Sequence, residues 1–317
     1  MLSRSQLARA VCQCERKTCE QFVEAGQRNN LTLDLAAVVR HLHTHIVSPV
    51  VQHILIMVLV AFATTGCKQD PNTTSPLLVF AASSLQPALT EIATTYRSAT
   101  HDSVLLVFGS STDLATQIEN GAPADIFFAA DEATIERLST HGKVIDSTRT
   151  VYAIGQLALI TQCGKPLHDA ASLCPPLTLN ALSDSTIRNI AIANPAHAPY
   201  GRAAQQALER SNMWTAVQPR IVMGASVAHA LQFVESGNAD AGLVALSLVM
   251  TSNARHMSYT VVNPTLHDPI RHEAAVVPHS NERTARSVQF LTFVRSDSGR
   301  AVLHRYGFET TAPPAGR

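Results

Sequence analysis

The feature that most constrains this chain is an order of segments that comes three times in succession. A short apolar run is followed by a turn of small residues and then by apolar residues at helical spacing. Leu77-Leu78-Val79-Phe80-Ala81 leads through Ala82-Ser83-Ser84 to a segment with Pro87 near its start and Leu85, Leu89, Ile92 and Tyr96 on one face. Val104–Phe108 leads through Gly109-Ser110-Ser111-Thr112 to a helix over Leu114–Glu119 that stops at Asn120-Gly121. Asp125–Ala129 is followed by a helix from about Asp131 to Ser139. Strand, turn, helix, strand is the βαβ unit, and it dictates a parallel sheet with helices on its faces.

The alternation continues. Val151–Thr161 reads as a strand broken by Gly155, and Ile190–Ala193 as another; Gly201–Arg210 and Val227–Glu235 read as helices. Asp240–Leu246 and His272–Val277 read as strands, and Arg283–Val294 as a helix. About ten strands exceed what one open sheet holds comfortably, so 317 residues divide better into two open α/β lobes. Lys plus Arg number 24 against 24 Asp plus Glu, which removes the basic excess of a nucleic-acid binder. A single Trp likewise argues against a base-stacking platform.

The front of the chain carries an address. Val50–Thr65 is too short an apolar run to span a bilayer and suits the core of a signal peptide. It ends in Thr64-Thr65-Gly66-Cys67, which resembles a bacterial lipobox, with Cys67 the lipidated first residue of the mature protein. Residues 68–75 then form a polar tether. Residues 1–49 are too long for an n-region, and a start codon nearer Val47 accounts for them better. A zinc site from Cys12, Cys14 and Cys19 with His41, His43 and His45 fits no standard spacing. Cys163 and Cys174 bracket a turn-rich loop, and an exported chain makes a disulfide between them an expectation.

Chemistry concentrates at the turns. Ala82-Ser83-Ser84, Gly109-Ser110-Ser111, Ala198-Pro199-Tyr200-Gly201 and Ala225-Ser226-Val227 each open a helix, where unpaired N–H groups favour an anion. In open α/β sheets such turns lie at the carboxyl ends of strands, where ligands bind. One Ser before a helix is ordinarily a cap, so only the joint occurrence of the four points to a site. Motifs for catalysis are missing: the sequence has no G-x-S-x-G, no H-E-x-x-H and no Walker A loop. Asp125 and Asp131 read as packing and capping residues.

The segments LLVFAASSLQPALTEIATTY, FGSSTDLATQIENGAPADIFFAAD, NPAHAPYGRAAQQAL, ASVAHALQFVESGNADAGLV and RYGF together resemble the molybdate-binding proteins of ABC-type molybdate importers, over Leu77 to Phe308. The resemblance implies a two-lobed periplasmic-binding-protein fold of type II, each lobe a mostly parallel sheet flanked by helices, with the ligand in the cleft between. Lobe I is expected from residues 76–155 plus 260–317 and lobe II from 156–259, after a signal and lipoprotein segment over 1–67. It implies a lipid-anchored, extracytoplasmic monomer that binds molybdate or tungstate and presents it to a membrane permease, with no cofactor, no direct metal ligand and no catalysis. Carried over by position, Ser84 and Ser111 supply hydroxyls, and Tyr200 and Val227 supply backbone N–H groups.

Two positions depart from the pattern. Ala245 stands where some members carry a Tyr, so one donor is missing or comes from Tyr200. Asp113 follows Ser111 by two residues; pointing inward it would repel a dianion, and outward orientation is expected. The alternative within binding proteins is a receptor for sulfate or phosphate. A serine hydrolase using Ser84 or Ser111, and a cytoplasmic regulator with a DNA-binding front end, are the readings from other classes.

Overall fold

The computed structural model describes residues 75–162, 178–251 and 257–310. Cys67, Cys163 and Cys174, the Val50–Thr65 run and nearly all of the tether lie outside them. In the first sheet stand β1 (Leu77–Ala82), β2 (Val104–Gly109), β3 (Ile126–Ala129), β4 (Thr150–Gly155), β10 (Ile270–Val276) and β11 (Glu309–Thr310), in the order β11-β4-β10-β3-β1-β2. In the second stand β5 (Leu157–Gln162), β6 (Ile190–Ala193), β7 (Ile221–Gly224), β8 (Ala241–Ala245) and β9 (Met257–Val261), in the order β7-β6-β8-β5-β9.

Helices flank both sheets. They are α1 (Gln86–Thr100), α2 (Ser111–Glu119), α3 (Glu132–Thr140), α4 (Pro199–Arg210), α5 (Trp214–Val217), α6 (Val227–Glu235), α7 (Leu246–Val249), α8 (Asn281–Arg295) and α9 (Asp297–Arg305). Among the described residues, none is long and apolar enough to cross a membrane.

Both sheets are mixed, which corrects the expectation of mostly parallel ones. β1 lies parallel between β2 and β3, and β6 parallel between β7 and β8. β10 runs against β3 and β4, and β5 against β8 and β9. The chain enters β5 and β10 directly from the other sheet, with no crossover helix to return it to the parallel sense. For the same reason the run expected as one strand over Val151–Thr161 is two: Gly155 ends β4 in the first sheet and Leu157 begins β5 in the second. The edge strands β7 and β9 gave no clear period in the sequence, because an edge strand buries too little to enforce one.

The first core forms between α1, α8 and the sheet. Leu89, Ile92 and Tyr96 of α1 are fully buried, and Tyr96 meets Phe290 of α8 edge-on at 5.0 Å between ring centroids. Asp125, just before β3, is also fully buried; its carboxylate accepts from the Leu78 N–H at 2.6 Å and is clamped by the Arg283 guanidinium. Asp131 caps α3 by accepting from the Thr134 N–H at 3.0 Å.

Candidate functional site: helix starts and hydroxyls from two sheets

The site begins with strand register. Ala82 at the end of β1 pairs with Gly109 at the end of β2, so the loops carrying Ser83-Ser84 and Ser110-Ser111 leave the first sheet side by side. The second sheet repeats the construction: Ala193 of β6 pairs with Gly224 of β7, and the loops after them lead to Pro199-Tyr200 and Ser226-Val227. Hydrogen bonds then join loops of one sheet to loops of the other. The Ala228 N–H donates to Ser83 Oγ at 3.4 Å. Ser110 Oγ donates to the His197 carbonyl at 2.7 Å, and the Thr112 N–H reaches the same oxygen at 3.3 Å. The four junctions therefore meet between the two sheets, and Ser84, Ser111, Tyr200 and Val227 are all buried.

Each residue has a defined donor. Ser111 is the first residue of α2, capped by Ser110, whose hydroxyl accepts from the Asp113 N–H. Its own oxygen accepts from the Ala130 N–H at 3.0 Å, which leaves its single proton free to donate. Ser84 sits in the tight turn Ser83–Leu85 that starts α1; its hydroxyl is fully buried and has no hydrogen-bond partner among the described residues. A buried, unpartnered hydroxyl costs free energy and calls for a reason. Tyr200 and Val227 occupy the second and first positions of α4 and α6, where no intrahelical carbonyl can reach their N–H groups. Pro199 needs no N–H partner at its own position. Gly201 lets α4 approach β6, since a Cβ there would lie 2.2 Å from the Ala193 carbonyl oxygen.

Charge is present at the rim but spent on neighbours. Arg202 of α4 pairs with Asp131, and Arg137 pairs with Glu119 at 3.0 Å while donating to the Thr112 carbonyl at 3.3 Å. Asp113 is half exposed, with its carboxylate 3.6 Å from the His197 ring, which is the outward orientation. Among the described residues, no group of three or more His, Cys, Asp or Glu side chains is placed to hold a metal ion.

The Tyr200 side chain takes a direction of its own. Its hydroxyl lies 3.4 Å from His272 Nε2 on β10, against Gly155 of β4, where a Cβ would stand 2.0 Å from the phenol oxygen. Burial raises the Tyr200 pKa, and the Ser84 hydroxyl opposes the rise. Burial pushes His272 down to about 3, so the ring is neutral. Ala245 ends β8 fully buried. Just beyond it, Ser247 donates from a buried hydroxyl to the Ser84 carbonyl at 2.6 Å, holding the turn that presents Ser84. Sequence reading missed Ser247; the strand-to-helix step Ala245-Leu246-Ser247 is a signal of the same kind as the four it used.

Known proteins share this plan. The profile of bacterial extracellular solute-binding proteins matches residues 77–309. The molybdate-binding protein ModA of Haemophilus influenzae is 33% identical over 232 residues, 73% of this chain and 88% of that one. A Bacillus subtilis protein, YvgL, which bears the name of an ABC transporter substrate-binding lipoprotein, is 29% identical over 80% of this chain and 96% of its own. The solved structure of the Azotobacter vinelandii periplasmic molybdate-binding protein superimposes with a TM-score of 0.65 at 32% identity, covering 74% of this chain and 98% of that one. With the two-lobed α/β architecture and a profile spanning its whole described body, this chain belongs to the bacterial extracellular solute-binding proteins.

Proposed function

We propose that this protein is the extracytoplasmic molybdate receptor of an ABC importer, taking tungstate as well, and that it works by binding and release without catalysis. The oxyanion sits between the lobes, held by the hydroxyls of Ser84 and Ser111 and the N–H groups of Tyr200 and Val227. The observation that carries this is the meeting of two hydroxyl-bearing helix starts from one sheet with two helix starts from the other, tied by the Ser83–Ala228 and Ser110–His197 bonds.

The physics asks for that arrangement. Stripping a dianion of water costs tens of kcal/mol unless hydrogen bonds replace the hydration. Each bond to a charged group returns roughly 1.5–3 kcal/mol net, so donors must converge from both sides. A ligand gripped by both lobes favours the closed form by its differential affinity, and closure is the signal a permease reads. Donors alone also discriminate: molybdate offers acceptors on every oxygen, whereas hydrogen phosphate brings a proton that finds no acceptor. The names and similarity of the molybdate-binding relatives support the choice of anion.

Calorimetric titration with molybdate, tungstate, sulfate and phosphate tests the reading. Molybdate and tungstate are expected to bind most tightly, and phosphate binding more tightly than molybdate would reject it. Anchoring is a part of the proposal that the lipobox-like Thr64-Thr65-Gly66-Cys67 supports. Replacing Cys67 by Ala should abolish incorporation of labelled lipid and leave the unprocessed precursor, and a Cys67→Ala chain that still incorporates lipid would remove Cys67 from the account.

A further inference from the structure

Two of the four junctions open with a pair of serines, Ser83-Ser84 and Ser110-Ser111, and the members of each pair are used differently. The second hydroxyl of each stays on its own side. Ser84 Oγ has no partner among the described residues, and Ser111 Oγ accepts from the Ala130 N–H just after β3. The first hydroxyl of each crosses to the other sheet. Ser83 Oγ accepts from the Ala228 N–H of α6 at 3.4 Å, and Ser110 Oγ donates at 2.7 Å to the His197 carbonyl, between β6 and α4. A third hydroxyl crosses from the opposite side: Ser247 of α7 donates to the Ser84 carbonyl at 2.6 Å. Ser83, Ser110 and Ser247 are all buried.

We propose that Ser83, Ser110 and Ser247 are a three-point clasp between the lobes: their hydroxyls bond across when the lobes close, return to water when they open, and set anion affinity through closure without touching the anion. This rests on the receptor reading above, in which the oxyanion binds between lobes that open and close, the ligand-free protein being mostly open. The bonds lie beside the proposed donors. Ser83 and Ala228 adjoin Ser84 and Val227 in sequence, Ser110 adjoins Ser111, and Ser247 holds the carbonyl of Ser84 itself. Three bonds on three separate loops fix one body against another, so making them brings the donors of both sheets into register together. Neutral hydroxyls suit a joint that must open, because water replaces the lost partner and each bond shifts the equilibrium by only about two- to tenfold. Apparent affinity follows the fraction of protein in the competent form, so each lost bond weakens binding by the factor it took from closure. The three serines are thus positioning residues, acting through the approach of the lobes.

The test combines calorimetric titration with sodium molybdate, thermal unfolding with and without molybdate, and small-angle X-ray scattering. Ser83 and Ser247 cap no helix, so Ser83→Ala, Ser247→Ala and the double variant carry it. Each single variant is expected to bind molybdate about two- to tenfold more weakly, and the double variant more weakly than either. The ligand-free midpoint should stay at the wild-type value, since the open form does not make these bonds, while the rise that molybdate gives should shrink. Ser110→Ala should lose affinity likewise but also lower the ligand-free midpoint, because Ser110 caps α2. In scattering, the wild type should be more extended without molybdate than with it.

A merely structural role predicts the reverse pattern at Ser83 and Ser247, with the ligand-free midpoint lowered and the affinity kept. Wild-type affinity in the double variant, a ligand-free midpoint that falls as far as the molybdate-bound one, or equal extension of the wild type with and without molybdate overturns the clasp. Failure of the wild type to bind molybdate would instead bring down the receptor reading, and the clasp with it.

Discussion

In the first lobe, the loops after β1 and β2 bring Ser84 and Ser111 to the cleft; in the second, the loops after β6 and β7 bring Tyr200 and Val227 to the matching places. Strand ends, register and helix starts are built alike. The proposed donors are not: those of the first lobe are alcohols, those of the second peptide N–H groups. An alcohol can be deleted by mutation and can turn between donating and accepting. A peptide N–H survives every substitution but proline and only donates, so in the second lobe the backbone path, not the side chain, holds the chemistry.

That contrast can be broken most severely at Gly201. Because a Cβ there would sit 2.2 Å from the Ala193 carbonyl oxygen, Gly201→Ala must push α4 off β6 and carry the Tyr200 N–H with it. Overpacking of this kind costs about 1–3 kcal/mol. Molybdate affinity should fall more than about tenfold, together with the thermal midpoint, and calorimetry paired with thermal unfolding reads both.

In the first lobe, Ser84→Ala and Ser111→Ala should each weaken binding by about tenfold or more, through loss of a charge-assisted bond. Their stabilities should differ. Ser111 Oγ satisfies the buried Ala130 N–H, so its removal should cost roughly 1–3 kcal/mol in urea unfolding. Ser84 Oγ satisfies nothing among the described residues, so Ser84→Ala should unfold at or above the wild-type midpoint. Equal stability losses in the two would erase the distinction drawn between them.

Next in size is the pH response of the crossing between lobes. Burial takes His272 from its ordinary 6.5 to about 3, so between those values the unfolded chain binds a proton that the folded chain refuses. Stability is then full above about pH 6.5 and falls as pH drops toward 3. His272→Gln should flatten that part of the unfolding profile while leaving neutral-pH stability nearly unchanged. The smallest effect belongs to the rim. Arg202→Gln removes the ion pair with Asp131 that joins the two sides, but Arg202 is more than one-third exposed. About 0.2–1 kcal/mol of closure is at stake, so affinity should drop at most about fivefold, and less at high salt.

How much of this was legible in the sequence follows from the same contrast. Period and turn chemistry were enough for β1, β2, β3 and β6, because buried strands followed by small-residue turns leave a strong pattern. The reversed strands β5 and β10 left no signature of their direction, since an apolar run reads alike both ways. Ser84 and Ser111 stood out as hydroxyls beside helix starts. Tyr200 and Val227 lay at two of the turns already read as helix starts, but their backbone roles came only from the resemblance, because a backbone N–H imposes no residue type. The Tyr200 side chain, one of two sequence-based answers for the donor absent at Ala245, turns its phenol to His272 and Gly155 at the crossing between sheets. His272 and Ser247 went unnoticed, being brought to the site by contacts 72 and 163 residues apart in sequence.

The most direct measurement is a crystal structure with molybdate, located by the anomalous signal of the metal. The account predicts tetrahedral oxygens at about 2.7–3.1 Å from Ser84 Oγ, Ser111 Oγ and the nitrogens of Tyr200 and Val227, with no cation in contact. An anion gripped instead by Arg202, Arg137 or another guanidinium or ammonium group, with those four donors idle, would contradict it.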